Sequence, residues 1–374
     1  MRRDIRTLVR RATATALAGT SVFAFAGTAA AKPRVHPVRY HAGSEPLVIG
    51  HRGAPAYRPE ETLQSYALAA AMGADYLEGD LESTKDGVVV MRHDVEISQT
   101  TDVADHPEFA GLKTTKTIDG EPITDWFVPD FTYAQLKTLR AKERLPAIRQ
   151  HNTLFDRRYV VPTFQQVIDL RKRLSKRYHR PIGLYIETKH PTFYTSIGLP
   201  LDPKVIKIVK RNHLDRQGTR LFLQSFEPVS VKRLSRALPN VPIVQLIGTV
   251  GSAADGSGPF ADMVTPAGLA KIAVYADGIG PDKNLVVPRD AAGRLLAPTT
   301  LVADAHKDGL LVHPFTFRAE NSFLPLDYRS GSVPSDYGNA FAEDDLFLRL
   351  GVDGIFTDNP DIGVLARGEF EHSR

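Results

Sequence analysis

The chain has 374 residues, 42% of them hydrophobic and 24% charged, an ordinary balance for a globular protein and enough for one large domain or two small ones. It contains no cysteine, which excludes disulfides and thiolate metal sites and confines any metal to oxygen or imidazole ligands. Residues 1–31 hold five arginines and one aspartate, so the 47 basic and 43 acidic residues become 42 and 42 without them, and no basic surplus remains to suggest a nucleic-acid partner.

Taken in order, the chain opens with arginines at 2, 3, 6, 10 and 11, a run of small and apolar residues, and Ala29-Ala30-Ala31 before Lys32-Pro33. This is the pattern of a secretory signal cleaved near Ala31. Thr13, Thr15, Gly19, Thr20, Ser21 and Gly27 interrupt the apolar run, leaving it too weak for a stable membrane anchor. Export follows as the expectation, and the Arg10-Arg11 pair fits either the Sec or the twin-arginine route. Residues 32–45 read as a polar, unstructured lead-in whose His36 and His41 are idle.

From 45 to about 368 short apolar runs alternate with amphipathic stretches. The runs are 47–51, 76–81, 182–187, 221–225, 243–247, 276–281, 310–315 and 354–358. Helical patterns occupy 61–72, 163–178, 202–210, 228–237, 266–275, 301–307 and 343–350. Eight apolar runs alternating with seven helical patterns predict a (β/α)8 TIM barrel, with a doubly wound open sheet as the runner-up. One departure, about 95–161, is rich in Thr, Asp, Pro and charge, with a helix-like piece at 132–142. An insertion of that size after the second barrel strand is expected to cover the mouth, and the irregular stretch 321–340 to rim it.

The second strand carries the densest chemistry. With a period of two, Tyr76, Glu78, Asp80 and Glu82 share one face and Leu77, Gly79 and Leu81 the other. The link Lys85-Asp86-Gly87 is too short for a parallel crossover, so 88–91 should pair back as a hairpin and return His93 towards the acids. A hairpin with one solvated face is the bland alternative. The first strand ends in Gly50-His51-Arg52-Gly53, and the third carries Glu187 and Lys189, two apart and on one face. Singly these read as a core histidine or a surface ion pair; together, at the carboxyl ends of three neighbouring strands, they read as a site. Three carboxylates in one mouth repel unless a cation sits among them, and oxygen ligands suit Ca²⁺ or Mg²⁺. A hard metal beside His51, His93, Arg52 and Lys189 describes a site for a phosphate ester, with the cations on the non-bridging oxygens and the imidazoles dividing the proton transfers. The chain has no Walker loop and no Gly-x-Ser-x-Gly elbow.

These residues resemble the glycerophosphodiester phosphodiesterase family, in its exported bacterial branch with the longer insertion. The resemblance rests on His51-Arg52-Gly53 with Pro59-Glu60-Glu61-Thr62, on Tyr76-Leu77-Glu78-Gly79-Asp80-Leu81 with Thr84-Lys85-Asp86-Gly87 and His93-Asp94, on Tyr185-Ile186-Glu187-Thr188-Lys189, on Gln224-Ser225-Phe226, on Val244-Gln245-Leu246, and on 351–360. It implies metal-dependent hydrolysis of deacylated phospholipids to an alcohol and sn-glycerol 3-phosphate. It further implies Glu78, Asp80 and Glu187 as ligands of one divalent ion, Ca²⁺ before Mg²⁺; His51 and His93 as the acid-base pair; and Arg52 and Lys189 on phosphate. Attack by the glycerol's own hydroxyl, through a cyclic phosphate, belongs to the same implication. Glu61 stands where many members have Asn, and Thr188 where many have a bulky aliphatic residue. Phe226 and the pair Phe315 and Phe317 are candidate walls for the substrate, and teichoic acid fragments are candidate substrates. A phospholipase D-like or sphingomyelinase-like enzyme is the alternative on this fold. From other classes, a barrel glycosidase would need neither imidazole nor metal and finds only Trp126 for sugar stacking, and a binding module would lose no turnover on His93→Ala.

Overall fold

The computed structural model describes residues 36–39 and 41–373; the expected secretory signal lies outside the described residues. Eight strands form one parallel sheet: β1 Leu47–Gly50, β2 Tyr76–Ser83, β3 Gly183–Thr188, β4 Leu221–Ser225, β5 Ile243–Ile247, β6 Gly278–Pro281, β7 Leu311–Val312 and β8 Gly354–Thr357. Each pairs with its sequence neighbour from β1 to β7, and β8 returns to β1 with Leu47 opposite Gly354 and Gly50 opposite Thr357. The eight predicted strands are the eight observed, and the barrel is nearly closed. Between β7 and β8 there is no ladder, and the gap is bridged by single backbone bonds, Asp353 N to Val312 O at 2.9 Å, Phe356 N to Pro314 O at 3.1 Å, Phe317 N to Phe356 O at 2.8 Å and Asp358 N to Phe317 O at 3.0 Å.

A helix follows each strand: α1 Leu63–Ala71, α2 Phe164–Arg177, α3 Leu201–Arg211, α4 Pro228–Ala237, α5 Pro266–Ile272, α6 Leu301–Lys307, α7 Ala340–Arg349 and α8 Pro360–His372. The starts follow ordinary capping chemistry. Thr62 and Thr163 accept from the amides three residues on, and prolines open α4, α5 and α8, where a missing N–H costs nothing. Alternation then sorts each strand. Leu77, Leu81, Leu184 and Ile186 join the apolar layer under the helices, while Tyr76, Tyr185, Phe222, Val244 and Phe356 fill the barrel interior. Tyr185 and Phe222 stack at 4.8 Å, and Phe356 meets Tyr185 edge-on. Two residues further along the same strands come Glu78, Glu187, Gln224 and Leu246, so the aromatic layer is the floor on which the polar layer stands. His313, buried against the Tyr185 hydroxyl, belongs to that floor; burial pushes its pKa down to about 4, and it stays neutral.

The hairpin is present: Val89–Met91 runs antiparallel to β2, with Leu81 opposite Met91. Its face is not solvated, because every residue of β2 is buried. The insertion has its own core, in which Val90, Ile97, Phe109, Trp126, Phe131, Leu136 and Leu139 pack together. Its helical piece is shorter than the periodicity suggests, one turn at Tyr133–Leu136. Truncating Phe131 to alanine removes a fully buried ring from this small core and should cost about 3–5 kcal/mol; thermal melting with limited proteolysis would show the loss and confine the first cuts to 95–161. His36 is not idle in structure: its Nδ1 lies 3.1 Å from Asp277.

Candidate active site

The carboxyl ends of the strands open into a cavity of about 410 Å³ lined by His51, Arg52, Glu78, Asp80, His93 and Glu187 among others, within the size range of small-molecule sites. The turn after β1 sets the first two. Arg52 and Gly53 take left-handed backbone angles, φ 50° and 93°, and a Cβ on Gly53 would lie 2.4 Å from Ser65 Oγ, so only glycine fits. This turn aims the Arg52 amide at Glu78, whose Oε2 accepts it at 2.7 Å, while Glu78 Oε1 accepts from Gln224 Nε2 at 3.1 Å.

Glu78, Asp80 and Glu187 come together as expected: one oxygen of each lies within 4.8 Å of the others, and all three are buried. Neither oxygen of Asp80 accepts a hydrogen bond; its cationic neighbour is Arg52 Nε at 3.3 Å. Burial and mutual repulsion raise Glu78 well above the usual carboxylate range and push Glu187 up to about 8. Burial acts the same way on Asp80, but His93, Lys189 and Arg52 outweigh it and hold that group low. Three buried carboxylates converging at this spacing, with both oxygens of the middle one lacking donors, fit a hard divalent cation. Gly79, between the two acids of β2, leaves room for Tyr66: a Cβ would sit 2.2 Å from the Tyr66 hydroxyl. Glu61 occupies the same space, accepting from the Asp80 amide at 3.0 Å and from Tyr66, so it braces β2 beside Asp80.

Both imidazoles are held alike. His51 Nδ1 meets Asp358 Oδ1 at 2.6 Å and His93 Nδ1 meets Asp94 Oδ1 at 2.5 Å. With Nδ1–H donating to a carboxylate, each Nε2 carries the lone pair; Lys189 Nζ donates to His93 Nε2 at 3.2 Å. Burial first, then Arg52, lowers the pKa of both. Lys189 also pairs with Glu187 Oε1 at 3.1 Å.

Behind each aspartate stands an arginine from the insertion. Arg149 donates to Asp358 Oδ2 at 2.6 Å and to Glu320 at 2.6 Å. Arg144 pairs with Asp94 and donates to Glu60 at 2.6 and 2.9 Å, and Glu60 in turn accepts from Arg52. The insertion therefore does not roof the larger cavity, whose lining contains none of its residues; it grips the aspartates beside His51 and His93 from outside. One of its residues, Asp119, lines an adjoining hollow of about 210 Å³ with Lys189 and Phe226. Phe226 lines the cavity as expected, as do Ser322 and Phe323 of the irregular stretch. Phe317 does not: the chain leaves β7 after Val312 and crosses to β8, turning Phe317 outward onto Phe347 at 4.9 Å, and Phe315 takes the wall position. Asp94 and Asp358 stand in the quoted motifs, next to His93 and at the end of β8, and that adjacency was their signal. Arg144, Arg149 and Arg318 had none.

The family model described as the glycerophosphoryl diester phosphodiesterase family matches residues 51–362. The chain belongs to this family. The enzyme is 35% identical over 328 residues to a glycerophosphodiester phosphodiesterase of Arabidopsis thaliana, covering 84% of each chain. It is 30% identical over 351 residues to a glycerophosphodiester phosphodiesterase of Haemophilus influenzae, covering 86% of this chain and 89% of that one. Among solved structures, an Oleispira antarctica phosphodiesterase in complex with the product sn-glycerol-3-phosphate superposes with a TM-score of 0.57 at 19% identity, over 86% of this chain and 96% of that one. A glycerophosphodiester phosphodiesterase from Agrobacterium tumefaciens gives 0.52 at 20%, over 86% and 99%. These structural likenesses establish the barrel fold.

Proposed function

We propose that the enzyme hydrolyses glycerophosphodiesters to an alcohol and sn-glycerol 3-phosphate with a divalent cation, Ca²⁺ before Mg²⁺, held by Glu78, Asp80 and Glu187. The observation that carries this reading is the meeting, in one cavity, of three buried carboxylates with two neutral imidazoles that both present Nε2. A bound cation supplies charge neutralisation at the phosphate's non-bridging oxygens. Arg52 and Lys189 share that task, and Lys189 exchanges its bond to His93 for one to phosphate. One imidazole takes the proton of the attacking glycerol hydroxyl as its oxygen bonds to phosphorus. The other, once it has taken a proton at Nε2 and stands as an imidazolium on its aspartate, gives that proton to the departing alkoxide as that P–O bond breaks. Water then opens the cyclic phosphate with the two roles exchanged. Asp94 and Asp358 hold each ring in its tautomer and stabilise the imidazolium when it forms.

The test is release of sn-glycerol 3-phosphate from glycerophosphocholine, with short poly(glycerol phosphate) as a teichoic acid fragment alongside. Turnover with Ca²⁺ or Mg²⁺ and its loss with chelator are expected; no product with either ion overturns the proposal. Phosphocholine as product, or a preference for intact lipid, would favour the lipid-phosphodiesterase alternative instead.

We also propose that the enzyme is exported, on the strength of the arginine-rich, apolar, Ala-x-Ala pattern of residues 1–31. N-terminal sequencing of the secreted protein should begin near Lys32, and an intact Met1 on all the active protein would exclude cleavage.

A further inference from the structure

Side chains of alternating charge run unbroken from the carboxylate trio to His93. Asp80 faces Arg52 at 3.3 Å, Arg52 donates to Glu60 at 3.2 Å, Glu60 accepts from Arg144 at 2.6 Å, Arg144 pairs with Asp94, and Asp94 holds the imidazole. At the middle of this chain stands Glu60, which belongs neither to a barrel strand nor to the insertion but to the connection between β1 and α1, and which is 6% exposed. We propose that Glu60 is a positioning residue for the reaction: its one carboxylate sets the edge that Arg52 offers to phosphate and, through Arg144 and Asp94, the orientation of the His93 ring. The inference rests on the reaction proposed above.

The carboxylate is engaged on two sides and in two ways. Arg144 meets it as a fork, with Nη2 on Oε1 at 2.6 Å and Nε on Oε2 at 2.9 Å. Arg52 reaches both oxygens with Nη1 alone, at 3.2 and 3.3 Å. With Nη1 taken from behind, the edge of Arg52 that carries Nε and Nη2 is left for the cavity that this residue lines. Its Nε is buried and has no acceptor, although Asp80 lies alongside. A guanidinium edge held in that way suits two oxygens of one phosphate. On the other side, Arg144 uses its remaining Nη1 for Asp94, whose second oxygen takes Nδ1 of His93.

Glu60 is itself held in place. Its carbonyl accepts from Arg92 Nη2 at 2.8 Å, and Arg92, 1% exposed, also donates to Met91 O at 3.0 Å and to Thr100 O at 3.2 Å. One guanidinium thus pins the hairpin before His93, the start of the insertion and the backbone of Glu60 together. Burial alone would raise the Glu60 carboxyl, but Arg144 and then Arg52 outweigh it and hold the group well below the usual carboxylate range, so it stays ionised. It is not one of the three carboxylates that converge for a cation. An acid placed only to complement the dipole of α1 gains from that dipole at the surface and has no need of two guanidiniums.

The test is a pair of double-mutant cycles on Ca²⁺-loaded enzyme, read as kcat and KM on glycerophosphocholine and as the affinity for sn-glycerol 3-phosphate by calorimetry. Glu60→Gln should raise KM and weaken the product about tenfold, the scale of one charge-assisted hydrogen bond. It should also lower kcat about tenfold, a fraction of what a positioned acid or base contributes. Arg52→Lys should reproduce the first loss and Arg144→Ala the second. On Arg52→Lys, adding Glu60→Gln should no longer move KM, and on Arg144→Ala it should no longer move kcat, because residues that act through one another do not add. Glu60→Asp, which keeps the charge, should stand between Glu60→Gln and the wild type in both parameters. A Glu60→Gln enzyme with the KM and product affinity of the wild type, or losses that multiply in full in both backgrounds, overturns the proposal. If Glu60→Gln does not fold, Glu60→Asp carries the same cycles under the same criteria. Additive cycles in a protein whose wild type turns over glycerophosphocholine remove the role of Glu60 alone; a wild type without turnover removes the reaction, and the positioning role with it.

Discussion

His93→Ala is expected to lower kcat on glycerophosphocholine by roughly 10²–10⁴-fold, the range that a positioned acid or base contributes, with substrate affinity retained. The ring is bonded to Asp94 and Lys189 and its side chain is 28% exposed, so its removal leaves little buried space to collapse. The melting temperature should stay near that of the wild type, which separates a chemical defect from a folding one. His51→Ala should behave in the same way kinetically. The double variant should fall well short of the product of the two losses, since groups that serve one proton circuit are not additive. A His93→Ala enzyme within fivefold of wild-type kcat would remove the imidazole pair from the mechanism.

Arg149→Ala is expected to be costly twice over. The guanidinium is 5% exposed and lies between Asp358 and Glu320, themselves nearly inaccessible. Deleting it leaves two buried carboxylates short of a cation, about 3–5 kcal/mol of stability. It also loosens the aspartate that orients His51, so kcat should fall even at temperatures where the chain is folded. Arg144→Ala touches the other imidazole through Asp94 and Glu60 but from a more exposed position, 21%. Its effect should be mainly on kcat, with a smaller loss of stability. Unfolding midpoints and kcat, measured on both variants, check the pair; an Arg149→Ala protein as stable and as active as the wild type would show that the insertion does not support the site.

Those two arginines also mark where sequence reasoning stopped. The barrel was legible because each strand but the last announces itself twice, by an apolar run and by the helix pattern behind it, and the clustered carboxylates because alternation puts Glu78 with Asp80 and Glu187 with Lys189. Arg144 and Arg149 lie in a segment without period, where nothing local says that two guanidiniums five residues apart reach back to Asp94 and Asp358. Phe317 misled for a related reason: a period of two holds only while the chain stays in the strand, and β7 is two residues long. The last helix, α8, was passed over although Pro360 at its first position is a start signal and Ala366 and Phe370 lie on one buried side.

The unladdered joint between β7 and β8 gives the barrel a seam. Elsewhere neighbouring strands share a ladder; here four backbone bonds and the Arg318 bond to Asp358 hold the edges. A substrate touching Arg318 on one edge and the His51 turn on the other would act as a clasp across the join. The protein should then be a stiffer ring when filled than when empty, tightening where the rolled sheet is least stitched.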